Sequence, residues 1–287
     1  MKVMKKGFNY SQDGPGNRLI YHLQGCNMRC PWCSNPEGMD PRGCMLVKDQ
    51  ELPEGVCPKG AVRDGTLNRA LCRECREREC TTIHRNQSIS FSYQQRDVSS
   101  LISEAVHSRT LFFDGGGVTV TGGEATLQFE ELKDLLFGLK REGIHTALET
   151  NGTHKRLLEL LPALDVLIID LKHIDDGIHK AYTGLSNGEI LKNIREASRQ
   201  AKELWVRTPL IHGFNDDPRW IPEFLRFYDT CSSERMKLEL LLYHEYGREK
   251  WGQCGKEYTF SDGFVDEALR EDFEKAYKEH GLTVIRT

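Results

Sequence analysis

From residue 98 onward the apolar positions of this chain alternate between two periods. Helical spacing places Val98, Leu101, Ile102, Ala105 and Val106 on one face, and Leu132, Leu135, Leu136 and Leu139 repeat it. Between such segments stand short β-branched runs, which predict strands near 17–23, 117–121, 145–149, 166–170, 203–208 and 237–242, with a last extended segment near 282–286. Strands that alternate with helices pair in parallel, so the expected fold is α/β, a parallel barrel or open sheet, and six βα units suit a partial (β/α)6 barrel. Residues 36–96 break the rhythm with five cysteines, scattered Gly and Pro, many charges and no long amphipathic period. They read as an insertion after the first strand, leaving 1–35 and 97–287 for the barrel. Loops that follow the strands of βα folds carry the chemistry, and both Cys26 and the insertion stand directly after strand 17–23.

A length of 287 residues accommodates one large domain with a small insertion. Thirty-nine basic against 43 acidic residues give a net charge of -4, and no Lys/Arg stripe marks the chain as a nucleic-acid binder. The longest apolar stretches, at 166–169 and 240–243, are far shorter than a membrane span, and the N-terminus lacks an apolar signal region, so a soluble cytoplasmic protein without membrane partners is expected. Eight of the ten cysteines fall between Cys26 and Cys80, several at two- and three-residue spacings, which points to metal rather than to a disulfide framework.

Cys26-Asn27-Met28-Arg29-Cys30-Pro31-Trp32-Cys33 brings three thiolates into one loop. A [4Fe-4S] cube held there keeps one iron open, which S-adenosylmethionine (SAM) can chelate through its amino and carboxylate groups before an electron splits the sulfonium. The spacing alone also allows a zinc loop, or a closed cluster completed by a distant cysteine. Further segments narrow this: Asp13-Gly14-Pro15-Gly16-Asn17-Arg18, Asn35-Pro36-Glu37, the run from Gly116 to Glu124, Asp170-Leu171-Lys172-His173, His179 to Asn187, and Tyr243-His244. With them the chain resembles, over nearly its whole length, the radical SAM superfamily, and within it the activating enzymes of glycyl radical enzymes, the group that includes pyruvate formate-lyase activase. The resemblance implies a radical SAM partial barrel, a SAM-binding [4Fe-4S] cluster on Cys26, Cys30 and Cys33, and abstraction of a glycine hydrogen on a partner glycyl radical enzyme. It also implies a flavodoxin or ferredoxin-type reductant. Trp32 to Gly38 is more similar to activases of dehydratase, decarboxylase and C-N or C-S lyase partners.

Residue roles follow from the same resemblance. Gly122-Gly123-Glu124 matches the segment that binds the SAM amino group; physically, two glycines at a strand end admit close backbone approach and a carboxylate meets an ammonium, although a bare Gly-Gly-Glu is usually a turn. Asn35 and Arg207 match SAM contacts, while a lone strand-end Arg is otherwise a structural ion pair. Asp170 and Lys172, two apart on a strand and so on one face, match an active-site motif. Thr150 and Asp170 match ligands of a monovalent cation beside SAM, with Glu149 standing where the best-known member has Asp. His244 matches a residue near the adenosine, whereas His173, His179 and His212 read as structural or surface histidines. Asp13 begins a tight Gly-Pro-Gly turn and, in the family, borders the entry of the partner's glycine loop.

Cys72, Cys75 and Cys80, with Cys57-Pro58 upstream, look like a worn two-cluster ferredoxin pattern. Five cysteines are too few for two clusters, so one auxiliary [4Fe-4S] cluster on Cys57, Cys72, Cys75 and Cys80 is expected, with Cys44 left free or replacing Cys57. Two other functions compete with an activase: a radical SAM enzyme acting on a small molecule, and a non-catalytic iron-sulfur or zinc module. Gly116-Gly117 and the Asp-Gly-Pro-Gly turn favour the activase; the module leaves Gly122 to Glu124, Arg207 and His244 unexplained.

Overall fold

The computed structural model describes residues 1–48, 52, 55–83 and 89–287. An antiparallel pair opens the chain, β1 (Lys2–Tyr10) and β2 (Asn17–Leu23). The cysteine-rich segment follows with β3 (Met45–Val47), β4 (Val62–Arg63), β5 (Thr66–Leu67), α1 (Arg69–Glu74), α2 (Cys80–Ile83) and β6 (Ile89–Phe91). After β7 (Gln94–Gln95), helices and strands alternate: α3 (Val98–His107), β8 (Gly117–Gly122), α4 (Phe129–Arg141), β9 (Thr146–Thr150) and β10 (Val166–Asp170). Next come α5 (Asp176–Thr183), α6 (Gly188–Gln200), β11 (Leu204–Leu210), α7 (Ile221–Tyr228), β12 (Met236–Leu242), α8 (Arg248–Gln253), α9 (Glu267–Glu279) and β13 (Thr283–Ile285).

Nine strands form one sheet in the order β13-β12-β11-β10-β9-β8-β2-β1-β7, parallel from β2 to β13 and antiparallel at β1 and β7. The edges β13 and β7 do not pair with each other, so the barrel is partial. The expected parallel strands are all present, because buried parallel strands read as apolar runs. β1 was missed for the opposite reason: it lies next to the sheet's edge, only Val3 in it is buried, and its lysines face water.

Parity along the strands separates two apolar layers. Leu19, Tyr21, Val118, Val120, Leu148, Leu167, Ile169, Val206 and Leu238 pack outward onto the helices, where Leu132, Leu135, Leu136 and Leu139 of α4 are fully buried. Each such leucine contributes about 1.5–3 kcal/mol. Ala147, Val166, Ile168 and Trp205 form a smaller cluster of their own, on the opposite parity of the same strands. That inward face also carries Thr119, Glu149, Arg207 and Glu239, all buried or nearly so, and therefore sets polar groups beneath the strand ends.

The cysteine-rich segment has two small sheets, β3 with β6 and β4 with β5. Its own apolar cluster is Met45, Leu52, Val56, Val62, Cys80 and Ile89, with Cys57 and Cys72 packed against it. Both ends of the expected 36–96 segment lie on the barrel. Gly25 N donates to Gly38 O at 3.0 Å, and Gln94 and Gln95 pair with Val3 and Lys2. Among the described residues no helix is long and apolar enough to cross a membrane.

Candidate active site

The loop after β2 delivers Cys26, Cys30 and Cys33 to a cavity of about 360 Å³ bounded by the C-terminal ends of β2 and β8 to β12. Asp13, Asn35, Gly122, Gly123, Thr150, Asp170, Lys172, Arg207 and His244 line the same cavity, so sequence positions spread over 230 residues meet there. The loop is anchored on every side. Arg29 N donates to Thr183 O at 2.9 Å, and the Trp32 ring sits against Phe214, Phe260 and Tyr182 with centroids at 4.6, 5.4 and 5.7 Å. From α8, Trp251 Nε1 donates to Cys33 O at 2.9 Å, while Lys250 Nζ donates to Ser34 O at 3.0 Å and Asn35 Oδ1 at 2.8 Å. A Cβ at Gly247, which begins that helix, would lie 2.4 Å from Ser34 Cα. The loop and helix therefore touch backbone to backbone.

Burial pushes the Cys26 and Cys30 thiols up to about 12 and raises Cys33 as well. Protons leave such thiols when a metal replaces them. Two backbone amides already aim at sulfur, Met28 N at Cys26 Sγ and Asn35 N at Cys33 Sγ, both at 3.4 Å. Among the described residues no three Cys, His or acidic groups close around a single ion. Three thiols in one short loop suit a [4Fe-4S] cluster that keeps one iron for another ligand.

Gly122 and Gly123 let the end of β8 lie against the cysteine loop. A Cβ would fall 2.2 Å from Leu23 O at Gly122, where φ is +148°, and 2.4 Å from Gly25 O at Gly123. Glu124 follows these glycines at the start of the next turn. Its side chain is absent from the cavity wall and buried, with Oε1 accepting from Thr126 N at 3.0 Å and Thr150 Oγ1 at 2.7 Å and Oε2 from Asn151 N at 2.7 Å. The carboxylate braces the ends of β8 and β9. His244 does face the cavity, stacked on Tyr246 at 4.2 Å, and its Nδ1 is buried with no hydrogen-bond partner. An unpartnered ring nitrogen at that position suits a polar heterocycle such as adenine.

Arg207, which resemblance matches to a SAM contact, lines the cavity and is held by three acceptors. Its Nε donates to Glu239 at 2.7 Å, Nη1 to Glu149 at 2.6 Å and Nη2 to Gln12 O at 2.7 Å, the structural ion pair that a strand-end Arg usually makes. Burial together with Asp13 and Asp170 pushes Glu149 up to about 7 in spite of Arg207. Lys172 Nζ stands 2.6 Å from Asp170 Oδ2, although β10 ends at Asp170 and Lys172 lies just beyond the strand. Burial opposes the lysine's charge, but Asp170 keeps its pKa above the ordinary value. The oxygens considered for a cation are engaged by protein donors: Asp170 by Lys172, Glu149 by Arg207 and Thr121, and Thr150 Oγ1, itself a donor to Glu124, by Gly152 N at 3.1 Å.

The Asp13 turn folds back to the cavity wall, its carbonyl accepting from Thr119 Oγ1 at 2.6 Å and its carboxylate from Asn9 Nδ2 at 2.6 Å. Gly116 has a packing purpose there, since a Cβ would lie 2.0 Å from Asn17 O. His173 and His179 are fully buried and His212 is exposed, which agrees with structural and surface roles. His22, not singled out from sequence, lines the cavity, and burial holds it down to about 4. In the insertion, burial pushes Cys72 up to about 11, and Cys57, Cys80 and Cys75 lie near enough to raise it further. Cys44 stands instead 3.7 Å from Cys254 Sγ.

Comparison with known proteins places this architecture. The Radical SAM superfamily model matches residues 20–225, and the chain belongs to that superfamily, whose members use SAM and a [4Fe-4S] cluster. Two relatives narrow the class. The 4-hydroxyphenylacetate decarboxylase activating enzyme of Clostridioides difficile strain 630 is 31% identical, covering 94% of this chain and 90% of the relative. The choline trimethylamine-lyase activating enzyme of Oleidesulfovibrio alaskensis is 34% identical, covering 86% and 84%. A crystal structure of a domain of pyruvate-formate lyase-activating enzyme from Bacteroides vulgatus matches with TM-score 0.50 at 27% identity, covering 59% of this chain and 98% of that one. The protein is an activating enzyme of glycyl radical enzymes.

Proposed function

We propose that Cys26, Cys30 and Cys33 hold the radical-generating cluster and that SAM occupies the 360 Å³ cavity above it, against Gly122-Gly123 and His244. The observation that carries this is the convergence of Cys26, Cys30, Cys33, Gly122, Gly123 and His244 on the lining of one cavity. Cys26, Cys30 and Cys33 would hold the cluster, which with SAM bound would supply the one-electron cleavage to methionine and a 5'-deoxyadenosyl radical that abstraction of the partner's glycine hydrogen needs. The chain's own residues bind, orient and exclude water. Backbone carbonyls at Gly122 and Gly123 accept from the ligand's ammonium, and Asn35 stands beside them, its side chain fixed by Lys250. Lys172, charged and paired with Asp170, is a donor for the ligand's carboxylate, while Arg207 positions Glu149 and the Asp13 turn from below. Asp13 guides the partner's glycine loop at the wall it lines. A monovalent cation on Thr150 and Asp170 would share Asp170 with the Lys172 ammonium.

The proposal extends to one auxiliary [4Fe-4S] cluster on Cys57, Cys72, Cys75 and Cys80, supported by the mutual nearness of these four thiols and by the separate position of Cys44. A cluster with four thiolates has no iron open to SAM, so its tasks are electron relay from a flavodoxin or ferredoxin-type donor and stabilising residues 36–96 as a unit. The partner is a dehydratase, decarboxylase or C-N or C-S lyase type of glycyl radical enzyme, and cysteines clustered at metal-ligand spacings suit a reducing cytoplasm. Mixing the reduced, reconstituted protein and SAM with the glycyl radical enzyme encoded nearby should give a glycyl radical signal by electron paramagnetic resonance, with 5'-deoxyadenosine formed alongside. No signal, together with turnover of a small molecule, would reject this function.

A further inference from the structure

Cys44 and Cys254 are 210 residues apart in the chain, and their sulfurs stand 3.7 Å apart. Neither belongs to the two proposed ligand sets. Cys44 precedes β3 in the insertion; its N-H donates to Ser92 Oγ and its carbonyl accepts from Ser92 N, both at 3.0 Å. Cys254 closes α8, with its N-H donating to Lys250 O at 2.9 Å and Trp251 O at 3.1 Å. Both backbones are fixed, so side-chain rotation has to bring the sulfurs from 3.7 Å to the ~2.05 Å of a disulfide. The pair lines a second cavity, of about 440 Å³, whose wall also carries Lys2, Arg69, Arg73 and Lys256.

We propose that Cys44 and Cys254 form a thiol-disulfide modification site, oxidised by small disulfides that bear carboxylates and enter through this basic cavity. The inference rests on the proposed auxiliary ligand set only in that Cys44 lies outside it. Cys44 is the attacking sulfur: once it ionises, Cys254 S-H donates to it, and Lys256 and Arg69 add positive charge, which together lower its pKa against burial while that of Cys254 rises. Its thiolate attacks one sulfur of the small disulfide, making a mixed disulfide and expelling one thiolate. Cys254 then gives up its proton and attacks Cys44 Sγ, closing the internal disulfide and releasing the second thiolate. Two electrons and two protons pass from the protein pair to the small disulfide, which leaves as two thiols. The new bond ties the insertion to α8, the helix that donates to Cys33 O and Ser34 O.

The test uses cluster-loaded protein under anaerobic conditions. Oxidised glutathione is added, the reaction is quenched with acid and an alkylating reagent, and peptides are mapped by mass spectrometry. The expected product joins the Cys44 and Cys254 peptides, two hydrogens lighter than their sum and separable by dithiothreitol, with iron content unchanged. In Cys254→Ser, glutathione should remain on Cys44; in Cys44→Ser, Cys254 should stay unmodified. Recovery of both cysteines as alkylated free thiols from the wild-type protein overturns the proposal. So does loss of about four irons in Cys44→Ser, which would make Cys44 a ligand and leave the radical cluster's assignment untouched.

Discussion

The two cysteine sets of this enzyme are supported by very different amounts of protein. Cys26, Cys30 and Cys33 lie on a loop tied to the barrel by Thr183, by the aromatic rings around Trp32, by the glycine end of β8 and by α8. Cys57, Cys72, Cys75 and Cys80 lie on a segment whose core, among the described residues, is six small or medium apolar side chains and whose sheets there have two strands each. A loop braced by a finished fold keeps its shape without metal, whereas a segment too small for its own core takes stability from the metal it binds. On the ligand sets proposed above, the barrel prepares a site with one ligand position open, and the insertion closes all of its own.

The sharpest way to break this contrast is Cys30→Ala. SAM cleavage to 5'-deoxyadenosine, followed by anaerobic chromatography, should fall to background, and normal cleavage would remove the central assignment. Next in size is iron content: the loaded wild type should carry about eight irons and Cys75→Ala about four, while the variant still cleaves SAM with a chemical reductant. Loss of all iron in Cys75→Ala would show that the two sites are not separable. Chelation provides a third comparison. Hydrogen exchange on the iron-free protein should show amides of β4, β5 and α1 losing protection while those of β8 and β10 keep it, and equal loss in both regions would contradict the contrast.

The smallest expected effect is one of pH on the barrel side alone. His173 lies edge-on to Phe214 and Trp220, next to the cage around Trp32, and burial holds it down to about 4 against an ordinary 6.5. The folded protein therefore binds fewer protons than the unfolded chain between these values, so stability is full above 6.5 and is lost as the pH falls towards 4. Lowering the pH from about 7 to about 5 should cost about 1–2 kcal/mol from this group. Thermal melts of wild type and His173→Gln should show a weaker pH slope in the variant, and identical slopes would exclude His173 as the origin.

Much of this organisation is legible in the residues. Runs such as Val166 to Ile169 announce parallel strands because both faces are buried, and the Cys26 to Cys33 spacing announces a metal loop. Destinations of charged side chains were much less visible. Glu124 and Arg207 occupy positions that resemblance links to SAM, yet each is spent on neighbouring strands, because a buried charge takes the partners that packing brings to it. Lys250 and Trp251 gave no signal either, since their contacts with Ser34 and Cys33 span 216 and 218 residues and carry no local pattern. β1 escaped because its position beside the sheet's edge exposes most of its side chains.

The six residues of α8 lead to a conclusion about modularity. Arg69, one turn before Cys72, donates to Gln253 O at 2.8 Å and to Met45 O, and the opposite end of the same short helix rests on Ser34 and Cys33. The insertion is consequently not a detachable accessory. Excising it would remove the abutment of α8 and with it one support of the Cys26 to Cys33 loop, leaving Thr183, the rings around Trp32 and the glycine end of β8, so grafting the segment onto another barrel would have to carry α8 with it.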